Sequence, residues 1–349
     1  VTDVVERDLD AMRQAMTLAD TVRGRTSPNP AVGAVVLDAD GVLVGSGATQ
    51  PPGGPHAERV ALAQAGASAR GATMVVTLEP CAHTGRTSPC ADALIEAGVA
   101  RVVYAVTDPN PIASGGAQRL RSAGIQVHAG VAEDEAARGA LRPWLHSLET
   151  GRPFVTWKFA STLDGRIAAA DRSSRWISSA VSRQDAHRLR AMVDAIVIGS
   201  GTALIDDPQL TVRDAEGQLA AHQPLRVVLD RRHRVSEYAR VFDDAAETMI
   251  LDTAVPRFAL KALHDRGVRH VLLEGGPTLA GSFLEAQCVD EVVCYLAPKL
   301  LGAGPASLGE AGITTIADAL ALEIDEVTML GPDVRIIARP VKPGWIEQE

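Results

Sequence analysis

The chain has 349 residues, of which 46% are hydrophobic and 22% charged, with a formal net charge of −9. That length fits two domains of ordinary size, and the acidic balance excludes a broad nucleic-acid or anionic-membrane surface, which calls for a basic face. No apolar run approaches the roughly 18 residues needed to span a bilayer. Four cysteines without a secretion signal point to reduced thiols in the cytoplasm rather than a disulfide framework.

Leu9, Met12, Met16 and Ala19 recur at helical spacing and predict a helix over 6–23. Strands follow at 32–37 and 41–47, joined as a hairpin around Ala39-Asp40-Gly41. A helix starting near His56 leads to a strand at 74–78, a helix at 89–97, a strand at 101–106, a helix at 116–123 and a strand at 125–129. One hairpin followed by β-α-β repetition predicts an α/β unit with a mixed sheet. The pattern breaks over 139–153, which puts the domain boundary at 147/148. Beyond it, strands at 154–160, 195–199, 225–230, 248–252, 270–274 and 291–297 are interleaved with helices at 180–191, 256–266 and 277–286. A closing hairpin over 325–340 turns at Gly331-Pro332-Asp333. The second half is thus another α/β domain with its own core.

Two cysteines stand in "LEPCAHTGRTSPC" (78–90), and "PHAE" (55–58) precedes them. Cys81 and Cys90 alone fit buried thiols or a structural metal pair as well as a catalytic one. A zinc ion with one open position needs three protein ligands, usually Cys and neutral His. His56 and Glu58, at a helix start, can reach one cleft as ligand and proton carrier. His-x-Glu followed by Pro-Cys and a second Cys is the pattern of zinc nucleobase deaminases, in which the Glu stays outside the coordination shell. Here the cysteine spacing is longer, Cys-x8-Cys. The ligand set is therefore read as His56, Cys81 and Cys90, with Glu58 as the acid–base group. His83 as a fourth ligand would instead close the site. Asn29-Pro30 and Asp108-Pro109 also fit simple turns, and Cys288 and Cys294 fit the core.

In the second half no Gly-x-Gly-x-x-Gly stands at a strand-to-helix turn. Gly275-Gly276, before Pro277, offers backbone N–H groups to an anion instead. Lys158 is one of only four lysines and lies in an apolar strand, where a buried ammonium needs a partner. Arg231, Arg232 and Arg234 fit either a cofactor 2′-phosphate or a solvated loop.

"NPAVGAVV" (29–36), "GGPHAE" (53–58), "TLEPCAHTGRTSPC" (77–90) and "DPNP" (108–111) resemble, in this order, the deaminase motifs of the RibD family of bifunctional riboflavin-biosynthesis proteins. "WKFASTLDGRIA" (157–168), "SSRWISS" (173–179), "GSGTALIDDPQLTVR" (199–213) and "LLEGGPTLAG" (272–281) resemble the family's reductase half, with TLDG standing in place of SLDG. The resemblance implies a cytidine-deaminase-like three-layer α/β domain over 1–147 and a dihydrofolate-reductase-like α/β domain over 148–349. It implies a zinc-dependent aminohydrolase fused to an NADPH-dependent oxidoreductase, with one Zn²⁺ per chain. The pyrimidine ribonucleotide substrate would be held for deamination by Asn29, His83, Arg86, Thr87, Asp108 and Asn110. For reduction, Lys158, Ser174, Arg190, Leu210, Arg213 and Glu274 would hold the substrate, with Lys158 also at the reacting centre. Ala160, Trp176, Thr202, Asp206, Gly275, Gly276, Pro277, Thr278 and Leu279 would hold NADPH. A homo-oligomer, dimer or tetramer, is expected. Two alternatives stay open: a nucleobase or nucleotide deaminase with a diverged, nucleotide-binding but non-catalytic second domain, and a metabolite sensor built from two inactive domains. Glu58 speaks against the sensor, which has no use for a carboxylate beside an open metal.

Overall fold

The computed structural model describes residues 2–83 and 88–341, with side chains from residue 6 onward. It divides into two compact units, Val1–Arg152 and Pro153–Glu349. The division falls later than the boundary at 147/148 because the helix Arg142–Thr150 runs through that point and buries Trp144 in the first core.

The first unit runs α1 (Thr2–Asp20), β1 (Gly33–Leu37), β2 (Leu43–Ala48), α2 (Ala57–Ala65), β3 (Thr73–Leu78), α3 (Cys90–Ala97), β4 (Arg101–Val106), α4 (Gly116–Ser122), β5 (Gln126–His128), α5 (Glu133–Arg138) and α6 (Arg142–Thr150). The sequence pattern does not show α5, whose 6 residues are too few for a helical period to register. The sheet order is β2-β1-β3-β4-β5. β1 is antiparallel to β2 and β3, while β3, β4 and β5 run parallel, so the sheet is mixed as expected.

Gly33 pairs with Ala48 and Ala34 with Gly47, so Gly33 and Gly47 point to opposite faces. A Cβ on Gly33 would lie 1.9 Å from the Ala15 carbonyl oxygen of α1, and one on Gly47 would lie 2.6 Å from the Ala57 carbonyl oxygen of α2. The two helices therefore cover opposite faces, which makes three layers, and only glycine permits such close backbone approach. Because β1 runs against β3, the start of β1 and the ends of β2, β3 and β4 share one edge. Asn29, His56, Cys81 and Asp108 sit on the connections that reach this edge.

The second unit runs β6 (Phe154–Thr162), α7 (Ala180–Ala191), β7 (Ala195–Gly199), α8 (Ser200–Asp206), β8 (Leu225–Leu229), β9 (Thr248–Leu251), α9 (Pro256–Asp265), β10 (His270–Leu273), α10 (Pro277–Glu285), β11 (Glu291–Ala297), β12 (Leu322–Leu330) and β13 (Asp333–Pro340). Its sheet order is β12-β13-β11-β6-β10-β7-β8-β9, parallel from β11 to β9 and closed by the antiparallel hairpin. Alternate residues feed two cores. Val155, Trp157, Val197 and Leu273 pack with α9 and α10, whereas Ile196, Ile198 and Leu272 pack on the other face with Ala203 of α8. The sequence pattern misses α8, a helix of 7 residues that includes a glycine.

The final hairpin turns on Gly331-Pro332 alone, since Asp333 already pairs with Leu330. Asp333 is buried and its Oδ2 accepts from Ser179 N at 2.7 Å and Ser182 Oγ at 2.6 Å, which holds it in the strand. A register shift between Ile324 and Glu326 resets the alternation. Leu322, Ile324, Val327 and Met329 consequently share one face, each substantially exposed. Among the described residues no helix is long and apolar enough to cross a membrane. All four cysteines are free thiols.

Candidate active sites

His56 caps α2 in an extended conformation and Glu58 follows in the first turn, buried at 4% exposure. Cys81 lies just past β3, and Cys90 opens α3 behind Pro89. Helix starts and strand ends place side chains firmly, so two connections, β2–α2 with His56 and β3–α3 with Cys81 and Cys90, deliver three donors to one point. His56 Nδ1 lies 3.4 Å from Cys90 Sγ and 3.7 Å from Cys81 Sγ, and the three donor atoms fall within 4.8 Å of one another. Zinc bond lengths of about 2.0 Å to N and 2.3 Å to S, at the tetrahedral angle, put N and S about 3.5 Å apart. The residues fit the ion. Cys90 N also donates to Cys81 Sγ at 3.3 Å. The Cys90 thiol bound to Cys81 pushes the Cys81 pKa down and its own up, because two sulfurs this close cannot both carry charge without a cation. Burial raises Glu58 above the ordinary carboxyl range, and the hydrogen bond to Cys81 raises His56.

The walls of this site come from neighbouring connections. Arg59, one residue beyond Glu58, donates from Nη2 to Ser88 O at 2.9 Å and so pins the segment entering Cys90. Asn29 closes a turn in which its N–H donates to Thr26 O at 2.9 Å, just before β1. Asp108 is buried, and burial raises its pKa. Its Oδ1 accepts from Asn110 N at 2.8 Å, and Asn110 Oδ1 accepts from Ile112 N at 3.1 Å. His83 is half-buried, and its Nδ1 has no hydrogen-bond partner among the described residues. His83 is not in the clustered donor set, so a fourth-ligand role gains no support. Arg86 and Thr87 lie outside the described residues.

In the second unit, Thr156 and Lys158 face α7 while Val155 and Trp157 face the opposite core. Arg190 of α7 grips Glu274, just beyond β10, through Nε–Oε1 at 2.6 Å and Nη2–Oε2 at 2.9 Å, with little exposure on either side chain. Its Nη1 donates to Thr211 O at 3.0 Å. Burial opposes ionisation of Glu274, but the Arg190 guanidinium overcomes it and holds the carboxyl at about 2. Burial lowers the Lys158 pKa, and the Glu274 carboxylate pulls it back. The Lys158 ammonium sits 5.6 Å from the Tyr295 ring centroid. Lys158, Arg190 and Glu274 are thereby brought together.

Thr202 Oγ1 of α8 accepts from Gly276 N at 3.1 Å, linking the ends of β7 and β10 across the C-terminal sheet edge. Gly275 and Gly276 lead into Pro277, the first residue of α10, followed by Thr278 and Leu279. Arg175 Nη2 donates to the Asp206 carbonyl at 2.9 Å, and burial raises the Asp206 carboxyl pKa against the pull of Arg175. Trp176 is 62% exposed, with the Arg183 guanidinium 4.5 Å from its ring centroid. Ser174 O accepts from Ile177 N within the same connection. Ala160 lies on β6 opposite Tyr295. Leu210 is buried with a φ of 54°, and Arg213 Nη2 donates to Gln209 Oε1 at 2.9 Å. Arg234 Nη2 donates to Ser200 Oγ at 2.8 Å, at the start of α8.

Known proteins share this arrangement. Residues 5–106 match the cytidine and deoxycytidylate deaminase zinc-binding region, and residues 153–336 match the RibD C-terminal domain. The riboflavin biosynthesis protein RibD of Mycobacterium tuberculosis is 53% identical over 325 residues, covering 93% of this chain and 95% of its own. The chain belongs to the RibD family. A solved RibD from Acinetobacter baumannii superposes with a TM-score of 0.87 at 38% identity, over 97% of this chain and 100% of that one. A Thermotoga maritima diaminohydroxyphosphoribosylaminopyrimidine deaminase/5-amino-6-(5-phosphoribosylamino)uracil reductase gives 0.89 at 34% identity, over 97% and 99%. RibD proteins join a zinc-binding deaminase to a reductase that uses NADPH, and both halves are present here. A diverged, non-catalytic second domain finds no support beside a RibD reductase match of that extent.

Several residues around the RibD sites escaped sequence reasoning. Glu79, inside one of these motifs, and Arg59, beside another, bond mainly to backbone atoms, so their identity alone does not declare a role. Asp185 accepts from Tyr295 Oη at 2.8 Å and from Arg335 Nη1 at 2.9 Å, a network spread over 150 positions of sequence. Lys299 donates to the carbonyls of Trp176 and Ile177, both at 2.8 Å. No local pattern could have paired these groups.

The crowding of the three donors makes a direct prediction. Cys90→Ser lowers bound zinc well below one ion per chain, measured by elemental analysis of the purified protein. Unchanged zinc content would remove Cys90 from the ligand set.

Proposed function

We propose that His56, Cys81 and Cys90 hold the zinc ion and that Glu58 moves the protons of a hydrolytic deamination. The substrate would be 2,5-diamino-6-(5-phosphoribosylamino)pyrimidin-4(3H)-one. The second unit would then reduce its ribosyl group to ribityl, giving 5-amino-6-(5-phosphoribitylamino)uracil. The observation that carries the reading is a buried carboxylate beside an incomplete His/Cys/Cys donor set, in a chain that also has a whole RibD reductase half.

Zinc bound there supplies Lewis acidity that makes water a competent nucleophile near neutral pH. Glu58 takes a proton from the attacking water, returns it to the ring nitrogen, and assists departure of ammonia. Its burial favours this traffic, because a carboxyl whose pKa burial raises is a stronger proton acceptor than an exposed one. Asn29, His83, Asp108 and Asn110 would hold the base and ribose, with Arg86 and Thr87 completing the phosphate contacts.

NADPH supplies the hydride for the second step. Thr202, Asp206, Trp176, Ala160 and the Gly275–Leu279 turn would position it at the C-terminal sheet edge, the usual ligand crevice of an open α/β sheet. Lys158 would meet the substrate's oxygen atoms, since its ammonium is desolvated and the Glu274 carboxylate is already engaged bidentately by Arg190. Ser174, Arg190, Leu210, Arg213 and Glu274 would complete the substrate walls.

The apolar stripe of Leu322, Ile324, Val327 and Met329 on the edge strand supports a homo-oligomer, since an exposed apolar edge is normally covered. The free thiols suit the reducing cytoplasm.

Separate assays of ammonia release and NADPH oxidation test the roles. Glu58→Gln keeps zinc at its wild-type level and reduces ammonia release by about a hundredfold or more. Deamination that survives this substitution refutes the proton-carrier role. Lys158→Ala spares ammonia release and cripples NADPH oxidation; loss of both activities would count against a reductase-specific role. Val327→Glu shifts the species seen by light scattering to a smaller mass, and an unchanged mass rules the stripe out as the subunit contact.

A further inference from the structure

Glu79 sits between β3 and Cys81, buried at 5% exposure, and no step above uses it. Its own N–H donates to Val106 O at 2.8 Å, which extends the parallel ladder of β3 and β4 by one bond. Both carboxylate oxygens turn toward the neighbouring connection. Oε2 accepts from Asp108 N at 3.2 Å and Oε1 accepts from Ala117 N at 2.9 Å. One side chain thus ties down the two ends of the 108–117 loop. From the other side, Ala82 N donates to Ala113 O at 2.9 Å, so the middle of the loop is bound to the residue after Cys81.

Two inward-pointing N–H groups need two acceptors. Only a carboxylate offers both on a side chain of this length, because glutamine would aim its NH₂ at one of them. The clamp also fixes a direction: Asp108 turns at the β4 end, and its side chain organises Asn110 through the 2.8 Å bond already described.

We propose that Glu79 is a positioning residue for deamination, whose carboxylate sets the 108–117 loop, and through it Asp108, against the Cys81 segment. The proposal rests on the deaminase reading above and deepens it. Among the described residues the Glu79 carboxylate bonds to Asp108 N and Ala117 N rather than to the zinc donors. Its effect belongs in substrate binding, while metal content and the second unit's reaction stay as they are.

Glu79→Gln in the full chain is the test, read alone and in an Asp108→Ala background. The KM for the diaminopyrimidine nucleotide rises about tenfold or more, the scale of one lost charge-assisted hydrogen bond. Zinc stays at its wild-type level, and NADPH oxidation with the already deaminated nucleotide, 5-amino-6-(5-phosphoribosylamino)uracil, is unchanged. In the Asp108→Ala background the same substitution changes KM by less than about twofold, as expected of two residues that act as one unit. Amide exchange at Asp108 or Ala117 accelerates in Glu79→Gln whatever the activity. Equal KM effects in both backgrounds, loss of zinc, or unchanged exchange at both amides would each overturn the proposal. A wild-type chain that releases no ammonia from this substrate would instead sink the deaminase reading, leaving the exchange result to judge the clamp.

Discussion

Two sulfurs and one imidazole nitrogen lie within 4.8 Å of each other in the first unit, and most of its architecture serves that crowding. Such a set is costly without a cation, because only one of the two thiols can ionise while they share a proton. A divalent ion resolves the conflict by drawing both as thiolates. That the two connections bearing these donors, β2–α2 and β3–α3, reach one edge follows from β1 running against both β2 and β3. The same edge receives Glu58 and Asp108, so two buried carboxyl groups come with the donor set rather than being added to it.

The second unit solves a different electrostatic problem. Several charged groups lie on the α7 side of its sheet, and they compensate one another in place of a metal. Arg190 and Glu274 pair bidentately, Asp185 accepts from Tyr295 and Arg335, and Lys158 stands between these clusters. Breaking one member of such a network leaves another charge buried alone, which costs more than the pair contributes. The arrangement therefore holds Lys158 in a desolvated position beside the Glu274 carboxylate and the Tyr295 ring. Hydride transfer asks mainly for such placement, with little acid–base chemistry of its own.

Both units use the same rule in unrelated settings: parallel strands end at one edge, and the following connections carry the chemistry. Fold alone does not assign a reaction. The assignment here comes from side chains: an incomplete donor set beside a buried acid in one half, and a glycine turn facing Thr202 beside a desolvated lysine in the other.

Much of this was legible in the linear order of residues. Short apolar runs gave the principal strands, because strand burial depends on local periodicity, and the His-x-Glu and Pro-Cys motifs declared their chemistry because metal ligands tolerate few residue types. The helices α5 and α8 stayed hidden, being too short for a period, and Trp144 belonged to the first core for reasons of packing beyond its own neighbourhood. What tertiary structure alone decided were contacts between distant positions. Glu79 bonding to Asp108 and Ala117, Arg190 to Glu274, Asp185 to Tyr295 and Arg335, and the slipped register that lines up Leu322, Ile324, Val327 and Met329 all depend on which strands become neighbours. Sequence order sets which groups exist; strand pairing sets which of them meet, because a hydrogen bond needs about 3 Å and no rule of spacing along the chain supplies that distance.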